Sequence, residues 1–352
     1  MKIAFLCNGY GGGVYRGSER YTEDLYNLLK DTFDITIYGL KSTYSSGGVI
    51  ASYGMNTKPR DSFKIPWRNG RAYLESYYFC KKWYKQHLNK HFDLIINNSG
   101  FVGSYWCNKY RKKTKTPFIT LERGGGREEA LNFLFRPNLM LFLTKTSRQH
   151  TTKWYLPKIK TQTIPIGINT KAFSKKQNAS KYIKDLERPI ILSTSALVGF
   201  KRIDLIIKAV KKLGRGSIIQ TSTGNLKDQT IALGKKELGY RFKYVGVISR
   251  EELLQLYHSC DVFVNASRKE AFGIVYLEAL ASNLPIVTQD DERRREVVGN
   301  SGIFVDCNDT DKFSKALSDI FNIKKDTSKY AEKYDWTNLK PQYESVVRSV
   351  AR

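Results

Sequence analysis

With 352 residues, 41% of them hydrophobic and 26% charged, the chain has room for one large domain or two ordinary ones and can fill a core, which excludes a disordered composition. Its most apolar stretch, Leu131–Leu143, is broken by Arg136 and Pro137 and is too short to span a bilayer, and the N-terminal apolar run gives way to glycines before it reaches signal-peptide length. The net charge of +26 favours polyanionic partners such as nucleic acid, anionic lipid or phosphorylated substrates, against the plain reading of a solvated lysine-rich surface.

The elements follow in chain order. Residues 2–7 (KIAFLC) form a short buried strand that runs into Asn8-Gly9 and the glycines at 11, 12, 13 and 17. From Ser18 a helix is expected, because Tyr21, Leu25, Leu28 and Leu29 recur at helical spacing. Strands are expected at 34–38, 92–97, 117–121, 139–143 and 161–166. The polar stretch 174–188 reads as a linker or a peripheral helix. The same grammar then restarts: strands at 189–193, 217–221, 242–245, 262–265 and 285–288, with helices at 204–213, 251–260 and 271–282. Strand and helix alternate throughout, which implies parallel sheets. The tail, 335–352, reads as a helix with Trp336, Leu339, Tyr343, Val346 and Val347 along one side. The expected domains are therefore 1–170, with the tail packing back on it, and 171–334. Five scattered cysteines (Cys7, Cys80, Cys107, Cys260 and Cys307) without a Cys-x-x-Cys pair argue against a disulfide framework and a zinc site, and fit free thiols in a reducing cytoplasm.

The densest chemistry lies between Asn265 and Thr288. A buried strand ends at Asn265, a polar loop carries Glu270, and Phe272-Gly273 opens a helix that holds Glu278 five residues beyond Gly273. Unpaired N–H groups and the positive end of the helix dipole suit a diphosphate there, and glycine lets it come close. A carboxylate at Glu278 can accept from ribose hydroxyls. Spacing alone equally allows a helix with two surface glutamates.

Glu270 and Glu278, seven residues apart around Phe272-Gly273, resemble the E-x7-E motif of the retaining GT-B glycosyltransferases of family 4, the glycosyl transferases group 1. The flanks Asp261-Val-Phe-Val-Asn, Leu280-Ala-Ser-Asn-Leu-Pro-Ile-Val and Glu296-Val-Val-Gly-Asn-Ser-Gly fit as well, so the resemblance covers most of 240–310. Upstream, Ser195–Asp204 is similar to the family's G-R-L-x-x-x-K-G-x-D segment. Lys201 falls on its diphosphate-binding lysine and Asp204 on its aspartate, whereas Ala196 replaces its arginine; adjacent Arg202 can supply the second cation. In the first half Gly12, Gly13 and Gly17 resemble the family's glycine-rich first loop, which faces the donor diphosphate, and Ile164–Phe173 resembles the segment before its interdomain linker.

The resemblance implies an α/β fold of the GT-B kind, two Rossmann-like domains facing across a cleft. It implies a glycosyltransferase that moves a hexose-type sugar from a UDP- or GDP-sugar to a glycan or lipid-linked acceptor with retention, by a front-face route in which the leaving diphosphate helps deprotonate the acceptor. Lys201, Arg202 and the helix after Gly273 would stabilise that diphosphate, Glu270 would hold sugar hydroxyls, and Glu278 the ribose. Neither a metal nor a further cofactor is required on this reading; the acidic run Asp290-Asp291-Glu292 sits beside Arg293-Arg294-Arg295 rather than in a metal triplet. One departure matters: many relatives carry a His-Gly pair after the strand at 117–121, where this chain has Glu122-Arg123-Gly124, so Glu122 or Arg123 becomes the candidate sugar or acceptor contact.

Residues 1–170 hold 27 Lys+Arg and 11 Asp+Glu, so 27 − 11 = +16 of the net charge lies there. Between Lys58 and Lys90 nine basic residues alternate with aromatics that include Trp67, Tyr78 and Trp83, and Lys109–Lys115 forms a second cluster. Cations beside aromatics suit an anionic membrane surface at the cytoplasmic face, with Trp67 and Trp83 inserting, in preference to nucleic acid; a plain helix with its aromatic side in the core is the competing reading. Two further functions stay open, another GT-B enzyme such as a sugar-nucleotide epimerase or a phosphorylase, and a non-catalytic nucleic-acid-binding protein.

Overall fold

The computed structural model describes residues 1–10, 17–39, 50–52, 70–124, 127–153, 159–322 and 326–351. It divides into two compact units, Met1–Ile166 with Leu339–Arg352, and Gly167–Asn338.

In the first unit the described elements run β1 (Lys2–Leu6), α1 (Gly17–Leu29), β2 (Asp34–Gly39), β3 (Ile50–Ser52), α2 (Gly70–His87), β4 (Leu94–Asn97), α3 (Gly100–Thr114), β5 (Phe118–Leu121), α4 (Arg127–Ala130), β6 (Leu139–Phe142), α5 (Lys145–Thr152) and β7 (Lys160–Thr163). The strands pair in parallel in the order β3-β2-β1-β4-β5-β6-β7. A parallel strand is covered on both faces, so it must be apolar on both, and Ile3, Ala4, Phe5 and Leu6 are all fully buried. Chain order reverses between β1 and β4, the switch point outside whose carboxyl ends such sheets bind ligands.

The second unit contains α6 (Thr170–Ser174), β8 (Ile190–Ser193), α7 (Ile203–Leu213), β9 (Ser217–Thr221), α8 (Lys227–Leu238), β10 (Phe242–Gly246), α9 (Arg250–Ser259), β11 (Val262–Asn265), α10 (Ile274–Ala281), β12 (Ile286–Gln289), α11 (Glu292–Val298), β13 (Gly302–Val305), α12 (Thr310–Asp319) and α13 (Thr327–Ala331), and α14 (Trp336–Val350) begins there. Its parallel sheet has the order β10-β9-β8-β11-β12-β13 and reverses between β8 and β11. α7 shows why these helices form. Ile203, Ile206, Ile207, Ala209 and Val210 repeat on one face and are buried, and Gly214 ends the helix in the left-handed conformation.

The units part at Ile166/Gly167 rather than at 170. Ile168 bridges Asp335, the Thr170 N–H donates to the Asp335 carboxylate at 3.0 Å, and a Cβ on Gly167 would meet the Trp336 ring at 2.4 Å. Those contacts carry 167–170 into the second unit. From Leu339 onward α14 belongs to the first unit, where the Tyr343 and Tyr21 hydroxyls share a hydrogen bond of 2.8 Å and Leu339, Tyr343, Val346 and Val347 are buried. The stretch 174–188 makes only the short turn Lys181–Ile183, held to α9 by Ser180 N–H donating to Ser259 Oγ and Tyr182 Oη donating to Glu252.

Two expectations need correcting. The helix expected from Ala271 starts at Ile274, because Gly273 takes φ +83° and its predecessors form a loop. Trp83 is fully buried, stacked on His87 at 5.6 Å and surrounded by Tyr38, Phe92 and Tyr110, so it cannot insert into a membrane. Trp67 and Lys58 lie outside the described residues. All five cysteines are buried free thiols; burial pushes Cys80 and Cys307 up to about 12.

Candidate active site

The predicted donor residues of the second unit gather at its switch point. β8 leads into a turn, Gly199–Lys201, and Arg202 closes that turn in the left-handed conformation before α7. β11, the neighbour of β8, leads into the loop that carries Glu270. The two loops are tied by backbone, with Arg268 N–H donating to Phe200 O at 2.7 Å. Lys201 Nζ and Glu270 Oε1 form an ion pair in which both side chains are only about one-sixth exposed, 16% and 15%. Asn265 Nδ2 donates to the same Glu270 oxygen at 3.3 Å, and Asn265 Oδ1 accepts from Ser267 N–H at 2.8 Å. Sixty-nine residues apart in sequence, Lys201 and Glu270 thus meet in the fold.

Gly273 caps α10, and no side chain caps that first turn. A Cβ on Gly273 would lie 2.5 Å from the Tyr276 ring, so both its φ and its space demand glycine. The uncapped N–H groups and the dipole make an anion-compatible end beside Lys201 and Glu270. Glu278, in the second turn, is 2% exposed and accepts from Tyr257 Oη at 2.8 Å. Phe272 is buried with its ring edge-on to Tyr334, a packing role, and Ile274 is half-buried.

Arg202 is placed differently from the expectation of a second diphosphate cation. Its guanidinium donates to Ala266 O at 2.7 Å, Asn308 Oδ1 at 2.8 Å and Gln289 Oε1 at 2.6 Å. It ties the ends of β11, β12 and β13 together, leaving Lys201 as the cation paired with the Glu270 carboxylate, while Arg293 Nη1 donates to Glu270 O at 3.4 Å. The acidic run is likewise engaged: Asp290 forms a two-pronged pair with Arg295 at 2.6 and 2.7 Å, and Asp291 caps α11 and pairs with Arg294. Among the described residues there is no cluster of three or more His, Cys, Asp or Glu able to hold a metal ion.

Sequence reasoning missed Arg294. It is 1% exposed, donates through Nε to Tyr276 Oη at 2.9 Å and through Nη2 to Ser267 O, and pairs with Asp291. Tyr276 Oη in turn meets Thr288 Oγ1 at 3.0 Å. The Asp291-x-x-Arg294 spacing, an N-cap three residues before a basic partner, was the available signal.

In the first unit Gly12 and Gly13 lie outside the described residues. Gly17 begins α1, and among the described residues nothing lies within 4 Å of a Cβ placed there. A Cβ on Gly9 would instead meet Glu19 Oε1 at 1.9 Å, so a side chain there would displace the Glu19 carboxylate. Glu122 is buried, with Oε2 accepting from Leu143 N–H at 2.8 Å, and so joins the ends of β5 and β6. Arg123 is half-buried and turned toward Asn8, whose Oδ1 is 3.5 Å away.

Residues 174–334 match the family model for glycosyl transferases group 1. The chain is 30% identical over 164 residues to a sulfoquinovosyl transferase of Arabidopsis thaliana, covering 43% of this chain and 31% of that protein. It is 26% identical over 201 residues to a GDP-mannose-dependent alpha-(1-6)-phosphatidylinositol monomannoside mannosyltransferase of Mycolicibacterium smegmatis, covering 52% and 53%. The chain thus spans from a third to about half the length of these curated relatives. Its fold is similar to sucrose-phosphate synthase from Thermosynechococcus elongatus (TM-score 0.83, 16% identity, 99% of this chain and 98% of that one) and to Anabaena HepE in complex with UDP-glucose (TM-score 0.77, 16% identity, 99% and 100%). The second unit thus matches the glycosyl transferases group 1 model around Lys201, Glu270 and Glu278, and the two parallel α/β units share the GT-B fold of the solved structures they resemble.

Proposed function

We propose that this chain is a retaining glycosyltransferase that moves a hexose-type sugar from a UDP- or GDP-sugar to a glycan or lipid-linked acceptor. The observation that carries the reading is the Lys201–Glu270 pair beside the uncapped, glycine-headed α10 at the switch point of the second unit. Lys201 and the helix end would meet the diphosphate and stabilise the charge that develops on it. Glu270 would hold sugar hydroxyls and Glu278 the ribose. With cation and helix dipole supplying the positive charge, the reaction needs no metal. The leaving diphosphate takes the acceptor proton on the face it departs from, which retains the anomeric configuration. A bound UDP-glucose in HepE and the GDP-mannose dependence of the mycobacterial relative support the choice between these two nucleotide classes.

The acceptor half is proposed to work at the inner, cytoplasmic face of an anionic membrane, as a peripheral protein. No helix among the described residues is long and apolar enough to cross a bilayer. α2 and α3 leave Leu74, Tyr78 and Tyr105 exposed, and Lys81 and Lys109 lie over the Tyr77 and Tyr105 rings at 5.6 and 5.7 Å. Such aromatic–cation pairs suit the headgroup layer.

The test is hydrolysis and transfer with a panel of UDP- and GDP-sugars, with and without EDTA. Turnover of one donor that persists in chelator is expected; no turnover with any donor, or full loss in EDTA restored by magnesium or manganese, overturns the donor or the metal-free reading respectively. Co-sedimentation should show salt-sensitive binding to vesicles containing phosphatidylserine and little to neutral ones; equal binding to both, or preference for nucleic acid over vesicles, removes the membrane reading.

A further inference from the structure

We propose that Arg123 is the anion-reading residue of the first unit, and that the ligand this unit receives carries a phosphate or carboxylate group. The inference rests on the reading of the first unit as the acceptor-side half.

Arg123 follows β5, and the strand ends nearest the β1/β4 switch point surround it. Asn8 follows β1, and Asn97, Asn98 and Ser99 close β4 and precede α3; all four are buried. Asn8 is fixed at both ends. Its N–H donates to Ser99 Oγ at 3.0 Å and its Nδ2 to Ser76 Oγ at 2.7 Å, so its Oδ1 is the atom turned to Arg123. A Cβ on Gly100, the first residue of α3, would lie 3.7 Å from Arg123 Nη1, which puts the guanidinium at the start of that helix.

A half-buried guanidinium is expected to have a carboxylate, because desolvation is otherwise uncompensated. Two carboxylates lie close in sequence and neither hydrogen-bonds the guanidinium, although the charge of Arg123 partly offsets the burial that raises the Glu129 carboxyl. Glu129 is buried and accepts from the backbone N–H groups of Arg123 and Gly124, both at 3.1 Å, and from Asn132 Nδ2 at 3.1 Å. Glu122 accepts from Leu143 N–H. What remains for the guanidinium among the described residues is one long hydrogen bond to a neutral amide, 3.5 Å. A second unmet group lies on the same strand ends: Asn98 Oδ1, on a side chain 1% exposed, has no hydrogen-bond donor, although Asn98 Nδ2 donates to Ser18 O and Thr22 Oγ1. A planar cation with no hydrogen-bonded carboxylate, on the same strand ends as an unmet acceptor, fits an oxyanion on a hydroxyl-bearing molecule, such as a sugar phosphate or a sugar acid, since the guanidinium fork matches either anion in two-pronged fashion.

The experiment is calorimetric titration of the full chain, Arg123→Gln, Arg123→Lys, Asn8→Asp and Lys201→Ala with inorganic phosphate, glucose 6-phosphate, glucuronate, glucose and UDP. Glucose 6-phosphate and glucuronate separate the two anion chemistries, and glucose controls for the hydroxyls. At least one anion should bind the parent, and Arg123→Gln should weaken it about tenfold or more, the loss of one charge-assisted contact. Asn8→Asp, which hands Arg123 an internal carboxylate, should weaken it too, and Arg123→Lys should fall between. UDP binding should be unchanged in Arg123→Gln. Anion affinity equal in parent and Arg123→Gln, no anion binding by the parent, or anion binding lost only in Lys201→Ala overturns the proposal and leaves the donor reading intact. Loss of anion binding in Arg123→Gln with UDP binding indifferent to Lys201→Ala upholds the subsite and overturns the donor assignment instead.

Discussion

Glu278→Gln separates a ligand-holding carboxylate from a structural one. Glutamine keeps the shape, and its amide oxygen can still accept from Tyr257 Oη, the partner of Glu278 at 2.8 Å. What disappears is the negative charge. Hydrogen bonds to a charged group contribute about 1.5–3 kcal/mol, so UDP or GDP should bind about tenfold to a hundredfold more weakly. Because the tyrosine bond survives, the folded state should lose less than about 1 kcal/mol, a melting shift of about 2–4 °C at most for a unit of this size. Glu278→Ala would be a poorer probe: it strands a buried tyrosine hydroxyl and opens a cavity, each destabilising by about 1–3 kcal/mol or more, and would lower affinity and stability together. Calorimetry with UDP and GDP gives the affinity and circular dichroism the melting temperature. Unchanged nucleotide affinity in a variant that melts with the parent refutes the ribose role, since charge alone was removed.

Arg202→Ala and Lys201→Ala should fail in different ways. The first loses hydrogen bonds to three separate strand ends and should lower the melting temperature by several degrees, about 1.5–3 kcal/mol, whereas the second should keep the parent's melting temperature and lose nucleotide affinity; equal melting of parent and Arg202→Ala would show that the tie contributes nothing. His87 gives a pH signature. Burial against Trp83 holds its imidazole below the usual 6.5, so the folded state resists the proton that the unfolded chain takes. The stability that follows is fully present above the unfolded value and is lost as pH falls through the folded one. Melting curves at pH 7.5 and pH 5 should therefore differ less in His87→Gln than in the parent; an identical pH dependence in both refutes it.

Much of the second unit was legible because each of its parallel strands is a continuous apolar run between turn residues. The Val262–Asn265 run and the helix at 203–213 stand almost where the residue pattern puts them. The start of α10 was not, since Ala271-Phe272 look helical and only the left-handed Gly273 shows the loop continuing. Trp83 was misread because aromatics crowd several faces of α2, so no single apolar stripe marks which ring faces the core. The position of Arg202 was beyond sequence reading: its partners Ala266, Gln289 and Asn308 lie 64, 87 and 106 residues away and meet it only because β8, β11, β12 and β13 are adjacent. Local pattern carries the elements and the motif; which cation faces a ligand and which is consumed by the scaffold is decided by sheet order.

That division of labour among the arginines and Lys201 explains how an irregular loop can hold Glu270 steadily. The segment after Asn265 has no helix or strand of its own until Ile274, yet its backbone is pinned: Ala266 O by Arg202, Ser267 O by Arg294, Ser267 N–H by Asn265, and Arg268 N–H by Phe200. A guanidinium as buried as Arg294 costs several kcal/mol in desolvation unless it is paired and hydrogen-bonded, and Asp291, Tyr276 and Ser267 O do both. Arg294 also orients Tyr276, the ring against which Gly273 turns. Glu270 is therefore presented by a loop whose backbone is held by three arginines, Arg202, Arg294 and, at Glu270 O itself, Arg293, and Lys201 comes from the loop locked to it. Because Glu270 already partners Lys201, a diphosphate arriving as proposed would meet a cation whose charge is partly neutralised. Its binding must either share Lys201 with Glu270 or release the carboxylate toward the sugar hydroxyls, so that donor capture and the freeing of Glu270 would be a single event.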